Sequence, residues 1–158
     1  MEKKIAVRYC SKTRAGNTRR IAEAIATGIG VSAKSIADEP ELSEHADILF
    51  LGGAPYANIM APELREYANK LTADKVGKAV LFTTSNWSRR TVTALKKILK
   101  GNGIPVEEEY FYAHMLNIRG KTGEAEKFSR KFGNSRLSYA LDWKFCIQMQ
   151  HISCRKKK

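Results

Sequence analysis

Apolar runs that alternate with helical patterns constrain the fold of this 158-residue chain more than any other feature. Residues 47–53 and 78–83 each contain four consecutive apolar residues, and residues 5–10 form a third β-prone run. A continuous apolar run is typical of a strand buried on both faces, as in a parallel sheet that is covered by helices. Because a helical pattern follows each of these runs, the chain is predicted to alternate strands and helices.

The weaker patterns complete the predicted architecture. Residues 31–37 and 106–112 are the expected second and fifth strands, and the expected helices cover residues 18–29, 62–71, 92–99 and 124–132. The alternation predicts an α/β fold, with a doubly wound five-stranded parallel sheet, helices on both faces and right-handed βαβ connections. Ligands of such sheets lie at the carboxyl ends of the strands, so the loops after strands one, three and four are expected to carry the function.

The domain is predicted to span residues 1–132, followed by a basic C-terminal extension at residues 133–158. Apolar and polar residues alternate over residues 141–150, which is typical of an additional strand. The four-residue spacing of Leu137, Leu141 and Phe145 would also fit a helix. We expect the extension to pack on the domain or to pair, with a homodimer through the extension as one form of pairing.

The loop after the first strand, residues 11–18, has the composition of an anion site. It combines hydroxyl side chains and a glycine with the start of a helix, where free N–H groups and the helix dipole favour negative charge. The Gly-Lys-Ser/Thr of a P-loop and the Gly-x-Gly-x-x-Gly of a dinucleotide site are both absent. A phosphate monoester is the expected ligand, and the alternative is that Asn17 or Thr18 merely caps the helix.

Two aromatic residues are expected at the same edge of the sheet. Tyr56 follows the strand that ends in Gly52 and Gly53, and Trp87 follows Ser85 and Asn86 at the end of the next strand. Together with an anion loop, these rings suit a flat, partly apolar ring system that carries a phosphate. The alternative for each ring is an ordinary half-buried packing role.

These segments resemble the flavodoxin family. Residues 9–18 (YCSKTRAGNT) and 21–25 (IAEAI) resemble its first strand, its hydroxyl-rich phosphate loop and its first helix, and residues 47–57 resemble its third strand and first ring-contacting loop. The resemblance covers roughly residues 4–132 and implies non-covalently bound FMN. It implies that the phosphate is held by Thr13, Ala15, Gly16, Asn17 and Thr18, with Ser11 and Arg14 close by. The implied contacts of the ring are Pro55, Tyr56, Ala57, Ser85, Asn86 and Trp87.

The chain also departs from the family pattern. Its phosphate loop is longer, so that either Ser11 or Thr13 is the first hydroxyl ligand, and Ala15 stands where a hydroxyl residue is common. The net charge is +12, from 28 Lys+Arg and 16 Asp+Glu, whereas the family is typically acidic. This charge predicts redox partners with acidic docking surfaces. The sequence has no RNA- or DNA-binding motif and no apolar run long enough to span a membrane, so no nucleic acid or membrane partner is predicted.

The resemblance implies a cytoplasmic carrier that shuttles electrons between a reductase and an acceptor enzyme. Two alternatives stay open: an FMN-dependent NAD(P)H:quinone-type reductase, and a basic α/β binding module that has lost flavin. No catalytic or metal motif competes, because His45, His114 and His151 are isolated in sequence. The three cysteines are too few and too irregularly spaced for a disulfide framework or a zinc module.

Overall fold

A five-stranded parallel sheet forms the centre of the protein in a computed structural model that describes residues 2–13 and 16–133. Its strands are β1 (Ile5–Cys10), β2 (Ala33–Ser35), β3 (Ala46–Gly53), β6 (Val76–Ser85) and β7 (Phe111–His114). A two-stranded hairpin, β4 (Pro55–Tyr56) and β5 (Ile59–Met60), lies between β3 and the second helix. The strand order in the sheet is β2-β1-β3-β6-β7, and every neighbouring pair is parallel.

Four helices cover the two faces of the sheet: α1 (Asn17–Ile29), α2 (Pro62–Lys70), α3 (Arg90–Gly101) and α4 (Ile118–Arg130). Alternate residues of β3 enter two separate cores, because successive side chains of a strand point to opposite faces. Leu49 and Leu51 pack in the core that contains residues of α2 and α3, whereas Phe50 packs in the core that contains residues of α1 and α4. The continuous apolar run of β3 is therefore buried on both faces of the sheet, as predicted. The prediction of a doubly wound α/β fold is confirmed.

Two predicted elements are displaced along the chain. The fifth strand begins at Phe111 rather than at residue 106, and Val106 forms only an isolated bridge to Ala79. Helix α4 begins at Ile118, six residues before its predicted start at residue 124. The predicted extension from residue 134 onwards lies outside the described residues, as do Arg14 and Ala15 of the first loop. No helix in the described ranges has both the length and the apolar character needed to cross a membrane.

Candidate functional site

Three hydrogen bonds join the first loop to other segments at the carboxyl edge of the sheet. The Lys12 N–H donates to the Tyr56 hydroxyl at 3.0 Å, beyond β3. The hydroxyls of Thr18 and Thr84 lie 2.7 Å apart, which ties the start of α1 to β6. The Asn17 side-chain amide donates to the carbonyl of Met115 at 3.3 Å, just beyond β7. The loops predicted to carry the function therefore meet at one edge, together with the segment after β7.

The hydroxyls of the first loop converge on the start of α1. Ser11 Oγ donates to the carbonyl of Thr13 at 2.9 Å, and the Gly16 N–H donates to the same carbonyl at 3.2 Å. A Cβ built on Gly16 would lie 2.3 Å from Ser11 Oγ and 2.5 Å from Thr13 Oγ1. A side chain at Gly16 would displace both hydroxyls from these positions, so the three residues form a small polar cradle at the start of the helix.

The N-terminus of α1 has no side-chain cap. Gly16 is the N-cap residue and has no side chain, and the first turn contains no acidic residue. The side chains of Asn17 and Thr18, the two capping candidates, are directed instead to Met115 and Thr84. The capping alternative is therefore wrong, and the first turn of α1 contains no acidic side chain to compensate the positive end of its dipole, which faces the cradle.

Tyr56 connects the hairpin to the first loop. Its hydroxyl accepts from the Lys12 N–H, and Lys12 Nζ lies 4.3 Å from the centre of its ring, so one ring face is covered by a cation. Burial raises the pKa of the Tyr56 hydroxyl above its usual value. Beyond Tyr56, Ala57 and Asn58 have positive φ angles of 48° and 64°, as a two-residue type I′ hairpin turn requires.

Trp87 is held by its backbone and presents its indole to solvent. Its φ angle is 74° and it is 79% exposed. The Tyr112 hydroxyl accepts from the Trp87 N–H and donates to the carbonyl of Ser85, both at 3.1 Å. Ser85 Oγ donates to the carbonyl of Ser88 at 2.6 Å, so the turn around the exposed Asn86 is fixed at both ends.

The segment after β7 also lies at this edge, where the sequence pattern predicts only the loops after strands one, three and four. His114 lies beside Trp87, with 5.0 Å between the ring centres and an angle of 66° between the rings. His114 Nδ1 accepts from the Leu116 N–H at 3.3 Å, while Nε2 is buried without a hydrogen-bond partner among the described residues. The available signal was the position of His114 two residues beyond the end of the predicted fifth strand, residues 106–112.

Cys10 takes no part in the polar edge. It ends β1 beside the first loop but is only 6% exposed, as expected for a structural thiol. Burial is the main cause that raises the pKa of the thiol, and the nearby Glu63 raises it further. The sulfur is therefore protonated at neutral pH and is a poor nucleophile.

The strand order β2-β1-β3-β6-β7 is that of a flavodoxin-like α/β fold. The crystal structure of oxidised Flavodoxin 1 from Bacillus cereus superimposes with a TM-score of 0.66 at 21% identity, covering 82% of this chain and 96% of that one. A flavodoxin from the domain Archaea gives a TM-score of 0.66 at 21% identity, covering 80% and 94%. A Fusobacterium nucleatum flavodoxin bound to flavin mononucleotide gives 0.59 at 15% identity, covering 84% and 99%. No protein-family model and no curated protein matches the chain. The resemblance seen in residues 9–18 and 47–57 is thus confirmed for the fold.

Proposed function

We propose that the chain binds FMN non-covalently and transfers electrons between a reductase and an acceptor enzyme. The observation that carries the proposal is the cradle of Ser11, Thr13 and Gly16 at the uncapped start of α1. A dianionic phosphate needs hydrogen-bond donors and a positive potential, and the cradle offers both. The solved flavodoxin from Fusobacterium nucleatum, which has the same fold and is bound to FMN, supports the choice of ligand.

In this proposal the first loop holds the phosphate. The Ser11 and Thr13 hydroxyls and the free N–H groups of the first turn of α1 would donate to its oxygens. Ser11 Oγ now donates to the Thr13 carbonyl, so it would exchange an internal hydrogen bond for one to an anion. Both hydroxyls already lie close to Gly16, so Ser11 and Thr13 both remain candidates for the first hydroxyl that binds the phosphate.

The loops that carry Tyr56 and Trp87 would flank the flavin ring. They follow β3 and β6, which are neighbours in the sheet, so a ring attached to the phosphate group can reach both. The exposed indole of Trp87 offers an apolar surface that a flat ring would cover. Bound FMN supplies the one- and two-electron chemistry, while the chain binds and orients it and excludes water from it.

Uptake of FMN by the purified protein tests this function. We expect stoichiometric binding to the flavin-free protein, read as quenching of flavin fluorescence, and release of FMN on denaturation. A carrier also needs a partner reductase, so the FMN-loaded protein alone should not oxidise NADH or NADPH with a quinone at a catalytic rate. Sustained turnover would support the reductase alternative, and failure to take up FMN would support the binding module that has lost flavin.

A further inference from the structure

Strand β2 has one unpaired side in the part of the chain that the structure describes. It pairs with β1 through Ala33, Lys34 and Ser35, and no described strand lies beyond it. An edge strand presents N–H and C=O groups that a further strand can pair with. The outer side of β2 is therefore a place where the sheet can be extended.

The two faces of the sheet differ at this edge. On the face that α1 and α4 cover, Ile29, Val31 and Ala33 pack at the margin of the core, and all three are only partly buried. On the opposite face, Lys34 is exposed and its ammonium group binds Glu39. Successive side chains of a strand point to opposite faces, so a strand beside β2 needs apolar residues that alternate with polar ones.

The last described residues lie close to this edge. Phe132, beyond the end of α4, packs at the margin of the same core as Val31 and Ala33. A Cβ built on Gly133, the last described residue, would lie 3.0 Å from Ile29 Cγ2. Ile29 is the last residue of α1, shortly before β2 begins. The chain beyond Gly133 therefore starts beside the amino end of β2.

This part of the chain contains a segment with the two required faces. Residues 141–150 (LDWKFCIQMQ) alternate apolar and polar side chains, and the apolar set is Leu141, Trp143, Phe145, Ile147 and Met149. The segment contains one Lys and one Asp, so the net positive charge of the extension lies outside it. The connection at residues 134–140 can span roughly 23 Å when extended, several times the ~4.8 Å between neighbouring strands.

We propose that residues 141–150 add a sixth strand to the sheet beside β2, with their apolar side chains on the face of α1 and α4. Because the chain reaches β2 at its amino end, the added strand runs parallel to β2. The connection from β7 through α4 then crosses the same face, towards the same edge, as the connection from β1 through α1 to β2. Both connections have the same hand, as parallel crossovers require. The proposed FMN site does not use this edge, so the added strand is independent of flavin binding.

The extension of the same chain is favoured over a second molecule at this edge. A short connection holds the segment near β2 at an effective concentration in the millimolar range. A second copy or another protein would have to displace it from solution at a far lower concentration. The added strand also covers Val31 and Ala33 and removes an unpaired edge that could otherwise aggregate.

A cross-link between the segment and β2 tests the position of the strand. Cys146 belongs to the polar set, so the arrangement places it on the same face as Lys34. In the full-length chain with Cys154→Ser, we expect Lys34→Cys to be linked to Cys146 by a short bismaleimide. Glu109→Cys is the control near the opposite edge of the sheet. Lys131 Nζ lies 2.7 Å from the Glu109 carboxylate, so a loosely attached extension would reach position 109 as well.

Mass spectrometry of the digested protein measures both links. The link from position 34 should form within one chain and be at least about tenfold more abundant than the link from position 109. Equal links from both positions would mean that the extension has no fixed place on the sheet. A link between two chains would assign the edge to a second copy, and no link from position 34 would leave the edge unoccupied. Each of these three results would overturn the proposal.

The emission of Trp143 tests whether the segment is buried as a strand. Trp87→Phe leaves Trp143 as the single tryptophan of the chain, and we expect the short-wavelength emission of a buried indole. Two matched substitutions then separate the strand from a helix with apolar residues at every fourth position. Ile147→Asp alters the apolar face of the strand only, whereas Leu137→Asp alters the apolar face of the helix only.

Ile147→Asp should shift the emission of Trp143 to longer wavelength, and Leu137→Asp should leave it unchanged. The reverse result would show that the segment packs as a helix. Equal effects of the two substitutions would show that the alternation of side chains does not determine the packing. An exposed emission maximum before either substitution would show that the segment is not packed at all. Each of these outcomes contradicts an added strand.

Discussion

At the scale of single residues, the buried cation Arg8 makes the free energy of unfolding depend on pH through its ion pair with Glu39. Arg8 is 7% exposed within the sheet, and its Nη2 lies 2.8 Å from Glu39 Oε2. Glu39 also binds Lys34 Nζ. The Lys34 hydrogen bond is the largest cause that holds the pKa of Glu39 below its usual value, and the charge of Arg8 lowers it further. The folded state therefore favours the ionised carboxylate.

Glu39→Gln tests this pair. A group whose pKa is lowered on folding stabilises the protein above its unfolded pKa, and the stabilisation is lost as the pH falls through the folded pKa. We expect the variant to be about 1–3 kcal/mol less stable at pH 7, because it weakens the hydrogen bond to a buried charge. The difference should disappear in acid, below the lowered pKa of Glu39. Urea unfolding of both proteins across this pH range measures it, and a difference that does not change with pH would contradict the account.

At the scale of elements, the contact between α1 and α4 depends on a glycine. A Cβ on Gly28 would lie 2.5 Å from the carbonyl oxygen and 2.9 Å from Cα of Glu126. Because these are backbone atoms, they cannot rotate away, and the two helices would have to separate. The side chains behind this contact, including Ile25, Ala125 and Phe128, form part of the core on this face of the sheet.

Gly28→Ala should therefore destabilise the protein by about 1–3 kcal/mol through overpacking. Gly123→Ala in α4 is the matched control, since a Cβ there would have nothing within 4 Å. The control should stabilise the protein by about 0.5–1 kcal/mol, because alanine is the better helix former. Thermal or chemical unfolding measures both changes, and a stabilising Gly28→Ala would show that the helices are not in close contact.

The elements that could be predicted from the sequence are those whose signal is local. Strand β3 is recognisable from its run of consecutive apolar residues, nearly all of which are buried. Helix α1 is recognisable because its buried residues Ile21 and Ile25 are four positions apart. The start of α4 was missed because Gly120 and Gly123 weaken its helical pattern, and packing of Ile118 in the core compensates for them. The fifth strand was placed too early because the pairing with β6 is interrupted. Val106 forms an isolated bridge to Ala79, and the Glu107 N–H donates to the Ala79 carbonyl at 2.8 Å, but the continuous ladder begins only at Phe111.

The same distinction applies to the candidate site. The cradle could be predicted because Ser11, Thr13 and Gly16 are close in sequence and their chemistry depends on a single loop. The contact of Trp87 with His114 could not be predicted, because it exists only when the sheet places β7 beside β6. A sequence pattern contains the residue types of such a contact but not the strand order that brings them together.

At the scale of the whole molecule, the net charge of +12 should affect the redox potential of bound FMN. Cations near the site favour reduced flavin, which gains negative charge, and dissolved salt screens this effect. We expect potentials less negative than those of an acidic flavodoxin, and a shift to more negative values as ionic strength rises. Redox titrations at low and high salt measure the shift, and a shift in the opposite direction would contradict this view of the charge.

The central claim is that the cradle at the start of α1 holds the phosphate of FMN. Riboflavin has the same ring without the phosphate, so the ratio of the two affinities isolates the contribution of the cradle. Gly16→Ala places a Cβ against both hydroxyls and should weaken FMN binding by roughly tenfold or more, while riboflavin binding changes by less than about twofold. Fluorescence titration of the flavin-free parent and the variant with both ligands gives the ratio directly. Equal weakening of FMN and riboflavin, or no weakening of either, would contradict the account.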